Sequence, residues 1–134
     1  MLKVNVEYIN PFVKASKSVL KTAVNLDIDI GKIYLKTSPY PSNTIAIIIG
    51  FMGQIKGQAI ISMEKDIAIK IASTMMGTKI EKLDELSKSA ITEVTNMILG
   101  NAATILDDQG INIEITPPSL LMGENMEVST PKMK

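Results

Sequence analysis

The sequence feature that most restricts the possible folds of this chain is its longest apolar run, TIAIIIGFMG at residues 44–53. Its β-branched residues favour an extended strand. The segment GQIKGQAIISM follows at residues 53–63, so the two segments predict antiparallel strands. The run has only about half of the ~20 apolar residues that a membrane-spanning helix requires. Gly50, Gly53 and Gly57 match no phosphate-binding motif and are interpreted as turn and bulge residues.

Three amphipathic segments predict helices. The pair Asn10–Pro11 predicts the N-cap and first residue of a helix that ends near Leu26. A second helix is predicted over residues 64–76. A third, longer helix is predicted to begin at a cap formed by Asp84 and to continue to about residue 109, where a glycine follows.

The remaining segments alternate polar and apolar residues, which is typical of strands. They are LKVNVEY at residues 2–8, LDIDIGKIYLKT at residues 26–37 and INIEITPPSLLMG at residues 111–123, the last interrupted by Pro117 and Pro118. Together the elements predict a single domain over residues 1–134 of the α/β class, α+β type. In this fold, long helices pack on a mostly antiparallel sheet.

The composition excludes many kinds of catalytic chemistry. Cysteine and histidine are absent, which excludes disulfides, thiolate nucleophiles, imidazole bases and nearly every zinc site. All 14 cationic residues are lysines spread along the chain and are balanced by 14 acidic residues, so neither an arginine finger nor nucleic-acid binding is expected. The N-terminus lacks the apolar core of a signal peptide, and we expect a cytoplasmic protein without membrane insertion.

One face of the third helix carries polar and small residues. At about 100° per residue, Ser89, Glu93, Asn96, Gly100 and Ala103 share one side and the apolar residues share the other. A glycine inside a helix costs on the order of 1 kcal/mol relative to alanine. Gly100 therefore indicates either close approach by another molecule or packing of a neighbouring loop. From spacing alone, a Glu and an Asn on such a face are usually no more than a solvated surface.

The chain also contains a faint internal repeat with an offset of 79 residues. The matched apolar positions are Phe12 and Ile91, Ala15 and Val94, Val19 and Ile98, Leu20 and Leu99, and Ala23 and Ala102. This predicts two related helix-then-strand units, although chance amphipathicity would produce the same pattern. Lys14 and Lys17 fall on Glu93 and Asn96, so only the third helix carries the polar pair.

Ser89, Glu93 and Asn96, followed by Pro118, resemble the signature of the CheC, CheX and FliY family of chemotaxis phosphatases. The segment NPFVKASKSVLKT and the single acidic site on the third helix are similar to the CheX branch, whose first helix lacks the Glu and Asn pair. The resemblance extends over nearly the whole chain. It implies a CheC-like fold and hydrolysis of the aspartyl phosphate on the response regulator CheY.

The resemblance also implies how the residues act. The phosphorylated receiver domain would supply its own Mg²⁺ and a lysine, so no cofactor is expected on this chain. Asn96 would direct its amide toward the attacking water, and Glu93 would pair with the receiver's lysine. The other site residues would have supporting roles: close approach at Gly100 and Ala103, helix orientation or a peripheral hydrogen bond at Ser89, and loop shape at Pro118.

The C-terminus departs from the family pattern. CheX proteins usually continue with two further strands that help complete the sheet through which they dimerise, whereas this sequence ends in GENMEVSTPKMK. Either the sequence is shortened or its sheet is smaller, and the homodimer that the family implies depends on which is true. Two other functions stay open: a non-catalytic module that binds a receiver or a flagellar motor switch component, and an oligomeric domain without chemistry.

Overall fold

The computed structural model describes residues 6–31 and 43–123. Within them the elements are α1 (Val6–Val24), β1 (Thr44–Gly53), β2 (Gly57–Glu64), α2 (Lys65–Met76), α3 (Glu85–Asp108), β3 (Ile113–Ile115) and β4 (Ser119–Gly123). Strand β1 pairs antiparallel with β2 along one edge and with both β3 and β4 along the other. The predicted combination of helices with an antiparallel sheet is confirmed.

The helices pack against one face of this sheet. Alternate residues of β1, namely Ile45, Ile47 and Ile49, point toward the helices and are at most 1% exposed. They join buried residues of all three helices in two core clusters. The long β-branched run is buried because it supplies the strand between the other three.

Pro117 and Pro118 divide the last predicted strand into β3 and β4. Proline cannot donate a ladder hydrogen bond, and Thr116 forms the last contacts before the break. Its N–H donates to the Gly50 carbonyl at 2.9 Å, and its hydroxyl accepts from the Gly50 N–H at 2.9 Å. A Cβ on Gly50 would lie 3.2 Å from that hydroxyl, so the glycine leaves room for this junction. Beyond it, β4 pairs with residues 44–48 of β1.

The start of α1 differs from the prediction. The helix begins at Val6, so residues 6–8 of the predicted first strand are helical, and residues 2–5 lie outside the described residues. The Asn10–Pro11 pair lies inside the helix and does not start it. Pro11 removes one internal hydrogen bond, but its ring is fully buried, which favours keeping it in the helix.

The strand predicted over residues 26–37 is also wrong where it can be examined. Residues 26–31 form neither helix nor strand, and the rest of the segment lies outside the described residues. Asn25 adopts a left-handed conformation with φ of 53°, and the Leu26 N–H donates to the Leu20 carbonyl at 3.0 Å. This hydrogen-bonded cap ends α1 and turns the chain before a strand can begin.

The predicted second and third helices are confirmed. Gly77 closes α2 in a left-handed conformation with φ of 69°. Asp84 caps α3: its carboxylate accepts from the Ser87 N–H at 2.9 Å, while the Ser87 hydroxyl accepts from the Asp84 N–H at 2.7 Å. Among the helices of the described residues, none combines the length and the hydrophobicity that crossing a bilayer demands.

The matched helices of the internal repeat pack against each other. One core cluster contains Ala15 and Val19 of α1 together with Val94 and Ile98 of α3. These are residues that the offset of 79 pairs with one another. The two helices therefore present equivalent apolar faces to a shared core.

The cap of α3 should make stability depend on pH in the acidic range. The hydrogen bond from the Ser87 N–H lowers the pKa of Asp84 below its ordinary value of 3.8. Because the folded-state pKa is the lower one, the stabilisation by this carboxylate is present above pH 3.8 and is lost as the pH falls through the folded-state pKa. We expect the difference in unfolding free energy between the parent and Asp84→Asn to shrink over that interval. Urea denaturation at a series of pH values measures this, and a constant difference would contradict it.

Candidate functional site

The packing of α3 determines which of its residues face outward. Its buried side chains are Ser87, Ile91, Val94, Thr95, Ile98, Leu99, Ala102 and Leu106. They lie against α1, α2 and the sheet. The opposite side of this 24-residue helix therefore faces away from the core.

The predicted site residues on α3 lie on this outward side. Ser89 and Glu93 are exposed, whereas Asn96, Gly100 and Ala103 are partly exposed. We call these five residues the Glu93 face. Glu93 and Asn96 are three positions apart in one helix, which places their Cβ atoms about 5–6 Å from each other. The structure thus brings the carboxylate and the amide together on one surface.

Within the described part of the chain, the side chains of Glu93 and Asn96 form no hydrogen bond or ion pair. The hydrogen bonds and ion pairs found among residues 6–31 and 43–123 include none from the side chain of Glu93 or Asn96. Neighbouring polar residues do have such contacts: the Thr92 hydroxyl donates to the Ser89 carbonyl at 2.9 Å. The carboxylate and the amide remain available to another molecule.

Gly100 leaves an open space on the same face. A Cβ built at this position would meet no atom within 4 Å apart from its neighbours in the chain and the local backbone of α3 itself. Packing of a neighbouring loop, one of the two explanations for this glycine, therefore finds no support among the described residues. The missing side chain leaves the backbone of α3 accessible one to two turns beyond Glu93 and Asn96.

A cleft beside Ser89 is a feature that sequence reasoning missed. It has a volume of about 370 Å³ and lies between the first half of α3 and strand β4. Its lining residues are Glu85, Lys88, Ser89, Thr92, Leu120 and Met122. Pro118 directly precedes β4 and so helps to position this second wall. Glu93 and Asn96 do not line the cleft, so Ser89 lies between two different surfaces.

The equivalent face of α1 has a different chemistry. Lys14 and Lys17, which the repeat aligns with Glu93 and Asn96, are both exposed. Two lysines cannot pair with a cation, and neither carries an amide. At the positions that the repeat aligns, α3 carries a carboxylate and an amide where α1 carries two lysines.

The geometry limits what this face can do. A carboxylate can bind a cationic side chain, and an amide can both donate to and accept from a water molecule. Both groups lie on the outward side of a helix, and neither lines the cleft beside Ser89. Among residues 6–31 and 43–123, no group of three or more acidic side chains is arranged to hold a metal ion. The fold and this face define an α/β protein of the α+β type, with helices on one side of an antiparallel sheet and a carboxylate and an amide on the outward side of α3.

The chain belongs to the chemotaxis phosphatase CheX family, whose model matches residues 45–134. The CheY-P phosphatase CheX of Thermotoga maritima is 28% identical over 123 residues, which cover 91% of this chain and 79% of that relative.

Two solved structures show the same similarity in three dimensions. A CheC-like superfamily protein from Shewanella sp. PV-4 is 33% identical with a TM-score of 0.84, and the match covers 94% of this chain and 82% of the other. The chain is also similar to a structure of the CheX–CheY–BeF3–Mg²⁺ complex from Borrelia burgdorferi. There the identity is 32%, the TM-score is 0.76, and the match covers 97% of this chain and 86% of the other. The CheC-like fold inferred from the motif is confirmed.

Gly100→Ala should stabilise the protein. The new methyl group meets no atom within 4 Å, and alanine is favoured over glycine inside a helix by about 1 kcal/mol. We expect the free energy of unfolding, measured by urea denaturation, to rise by up to that amount. Asn101→Ala, an exposed substitution at the next position, serves as the control and should also stabilise α3. A destabilised Gly100→Ala would show that the glycine is required by the fold.

Proposed function

We propose that this protein hydrolyses the aspartyl phosphate of a CheY-type receiver domain by inserting the Glu93 face into the receiver's active site. The observation that carries the proposal is the exposure of Glu93 and Asn96, side by side and without contacts within the described residues, on one helix of a CheX-family chain. The relatives named CheY-P phosphatase and CheX–CheY complex support CheY as the partner.

The reaction is within the capacity of a chain without histidine, cysteine or arginine. An aspartyl phosphate is a mixed anhydride, so its hydrolysis requires mainly positioning and stabilisation of charge. Water attacks phosphorus, the new oxygen–phosphorus bond forms, and the bond to the aspartyl oxygen breaks. The products are inorganic phosphate and the free aspartate of the receiver.

Asn96 positions the water in this proposal. Its amide oxygen accepts a hydrogen bond from the water and holds it opposite the aspartyl leaving oxygen, as a glutamine does in GTPases. A neutral amide does not remove the proton, so Asn96 contributes orientation and not base catalysis. Its short side chain on a rigid helix fixes the water within narrow limits.

Glu93 anchors the helix. Its carboxylate pairs with the receiver lysine that contacts the phosphoryl group, which places Asn96 one turn away at the water. Mg²⁺, which belongs to the receiver in this proposal, neutralises charge on the phosphoryl oxygens when bound. The CheX–CheY complex that contains Mg²⁺ supports this assignment.

The remaining residues of the face let the receiver approach. Gly100 and Ala103 present little or no side chain next to the reacting groups, and so the two backbones can come close. Ser89 belongs to the Glu93 face and also lines the cleft, where its hydroxyl can bond to the edge of the receiver. Pro118 shapes the segment that leads into β4. Gly100→Ala should therefore weaken binding of the receiver even as it stabilises the fold.

The test follows phosphate release from each phosphorylated CheY-type receiver of the same genome. We expect the parent protein to accelerate dephosphorylation of at least one of them. Asn96→Ala should lose turnover by about 10²-fold or more with a small change in affinity, since a transition-state contact is removed. Glu93→Ala should lose both affinity and turnover, since it removes the anchor.

Lys14→Ala is the matched control, because it changes the repeat-equivalent position on the other helix and should retain parental activity. Parental rates for both Asn96→Ala and Glu93→Ala would disprove the assigned site. Tight receiver binding by a parent protein that releases no phosphate would instead establish a non-catalytic receiver-binding module.

We further propose a cytoplasmic homodimer. The receiver substrate is part of intracellular signalling, which supports the location. Strand β4 is an edge of the described sheet, and its Leu121 and Met122 are 43% and 41% exposed, as expected for a strand that another strand or subunit covers. Sedimentation equilibrium should give twice the monomer mass of 14.6 kDa. A monomer at micromolar concentration would contradict the proposed dimer without affecting the site.

A further inference from the structure

Two large apolar side chains lie exposed on α3 beside the proposed catalytic pair. Leu86 is 70% exposed and Met97 is 39% exposed. Leu86 is the most exposed of the large hydrophobic residues in the described part of the chain. Apolar groups of this size gain free energy when a partner removes them from water.

Leu86 and Met97 lie on nearly the same side of α3 as the Glu93 face. Leu86 is seven positions before Glu93, and Met97 is four positions after it. At about 100° per residue both lie within about 40° of the Glu93 direction. At 1.5 Å per residue, Leu86 lies about 10 Å before Glu93 along the helix axis and Met97 about 6 Å beyond it. Along the helix axis the polar pair therefore lies between two exposed apolar side chains.

The scarcity of charged residues on this side of α3 supports an interface there. Between Leu86 and Thr104, Glu93 is the only charged residue within about 80° of its own direction, and the other positions are Ser89, Ala90, Asn96, Met97, Gly100, Asn101 and Ala103. Protein interfaces are depleted of charges at their centre and enriched in methionine. A solvated helix face that binds nothing would gain solubility from charges at such positions.

We infer that Leu86 and Met97 are the apolar anchors that bind the receiver domain on either side of its phosphorylated aspartate. This rests on the proposed function. We assign the receiver as the partner that covers Leu86 and Met97, because they lie on the same side of α3 as Glu93 and Asn96. The receiver should have an apolar side chain at each rim of its active site to meet them.

The anchors act on Glu93 and Asn96 through the exclusion of water. Apolar contacts on both sides remove solvent from the space between, and a carboxylate–lysine pair is stronger in this lower-dielectric setting. Leu86 and Met97 touch neither the phosphoryl group nor the attacking water. They are therefore positioning residues that determine affinity and the choice of receiver.

Leu86→Gln and Met97→Gln test the inference by steady-state dephosphorylation of phosphorylated CheY. Each should raise KM about tenfold and leave kcat within about twofold of the parent, since a binding contact is removed and not a transition-state contact. Titration with CheY loaded with beryllium fluoride and Mg²⁺ should show the same loss of affinity. Leu86→Met retains the apolar volume and should restore a KM close to that of the parent.

Met52→Gln is the matched control. Met52 is 51% exposed but lies on β1 among the residues that point away from the helices, so its KM should equal that of the parent. Circular dichroism should be unchanged in all variants, and thermal melting should be unchanged in Leu86→Gln and Met52→Gln, whose side chains are 70% and 51% exposed. Met97 is 39% exposed, so thermal melting of Met97→Gln serves to show that this variant is folded at the assay temperature.

A parental KM in either Leu86→Gln or Met97→Gln would overturn the inference, as would an equal rise in KM for Met52→Gln. A fall in kcat without a change in KM would also overturn it, because the residue would then act in the chemical step. The two proposals fail separately. If the anchors weaken binding while Asn96→Ala hydrolyses at the parental rate, the docking surface stands and the catalytic assignment is wrong.

Discussion

The packing of α3 against α1 and the sheet is the constraint on which the other features depend. Ile91, Val94, Ile98 and Ala102 are at most 3% exposed, and they lie on one side of a continuous helix. Because a helix is rigid over this length, burying that side fixes the direction of every other residue on it. Glu93 and Asn96 project outward as a direct result, and so do the residues before and after them.

The interrupted strand has a comparable effect on the edge of the site. Two prolines end β3, and Thr116 joins Gly50 at the break, so that β4 continues along the same edge of β1. This places Leu120 and Met122 across a cleft from Ser89. The two walls lie far apart in the sequence, at residues 85–92 and 120–122. Each proline lacks a backbone N–H donor, and this local change in the backbone therefore helps to form a surface next to the proposed site.

The internal repeat shows how one packing arrangement can serve two different surfaces. Ala15 and Val19 of α1 meet Val94 and Ile98 of α3 in a shared core. The outward positions of α1 carry lysines, and those of α3 carry a carboxylate and an amide. Packing depends on the inward residues alone, so the outward residues are free to differ. The proposed activity is accordingly assigned to one helix of the pair.

Local patterns were enough to predict several elements: β1 and β2 from their β-branched runs, and α3 from its cap at Asp84 and its helical period. The helical period of the apolar residues also predicted which side of α3 faces solvent, because the apolar side of an amphipathic helix is the side that packs against the core. The motif indicated the family before any fold was known. The prediction of where α1 begins was wrong, because a short alternating segment fits either a strand or the first turn of a helix. Three features are visible only in the folded chain: the burial of Pro11 within α1, the open space beside Gly100 among the described residues, and the cleft between β4 and Ser89. These features depend on contacts between distant segments, and no local pattern contains them.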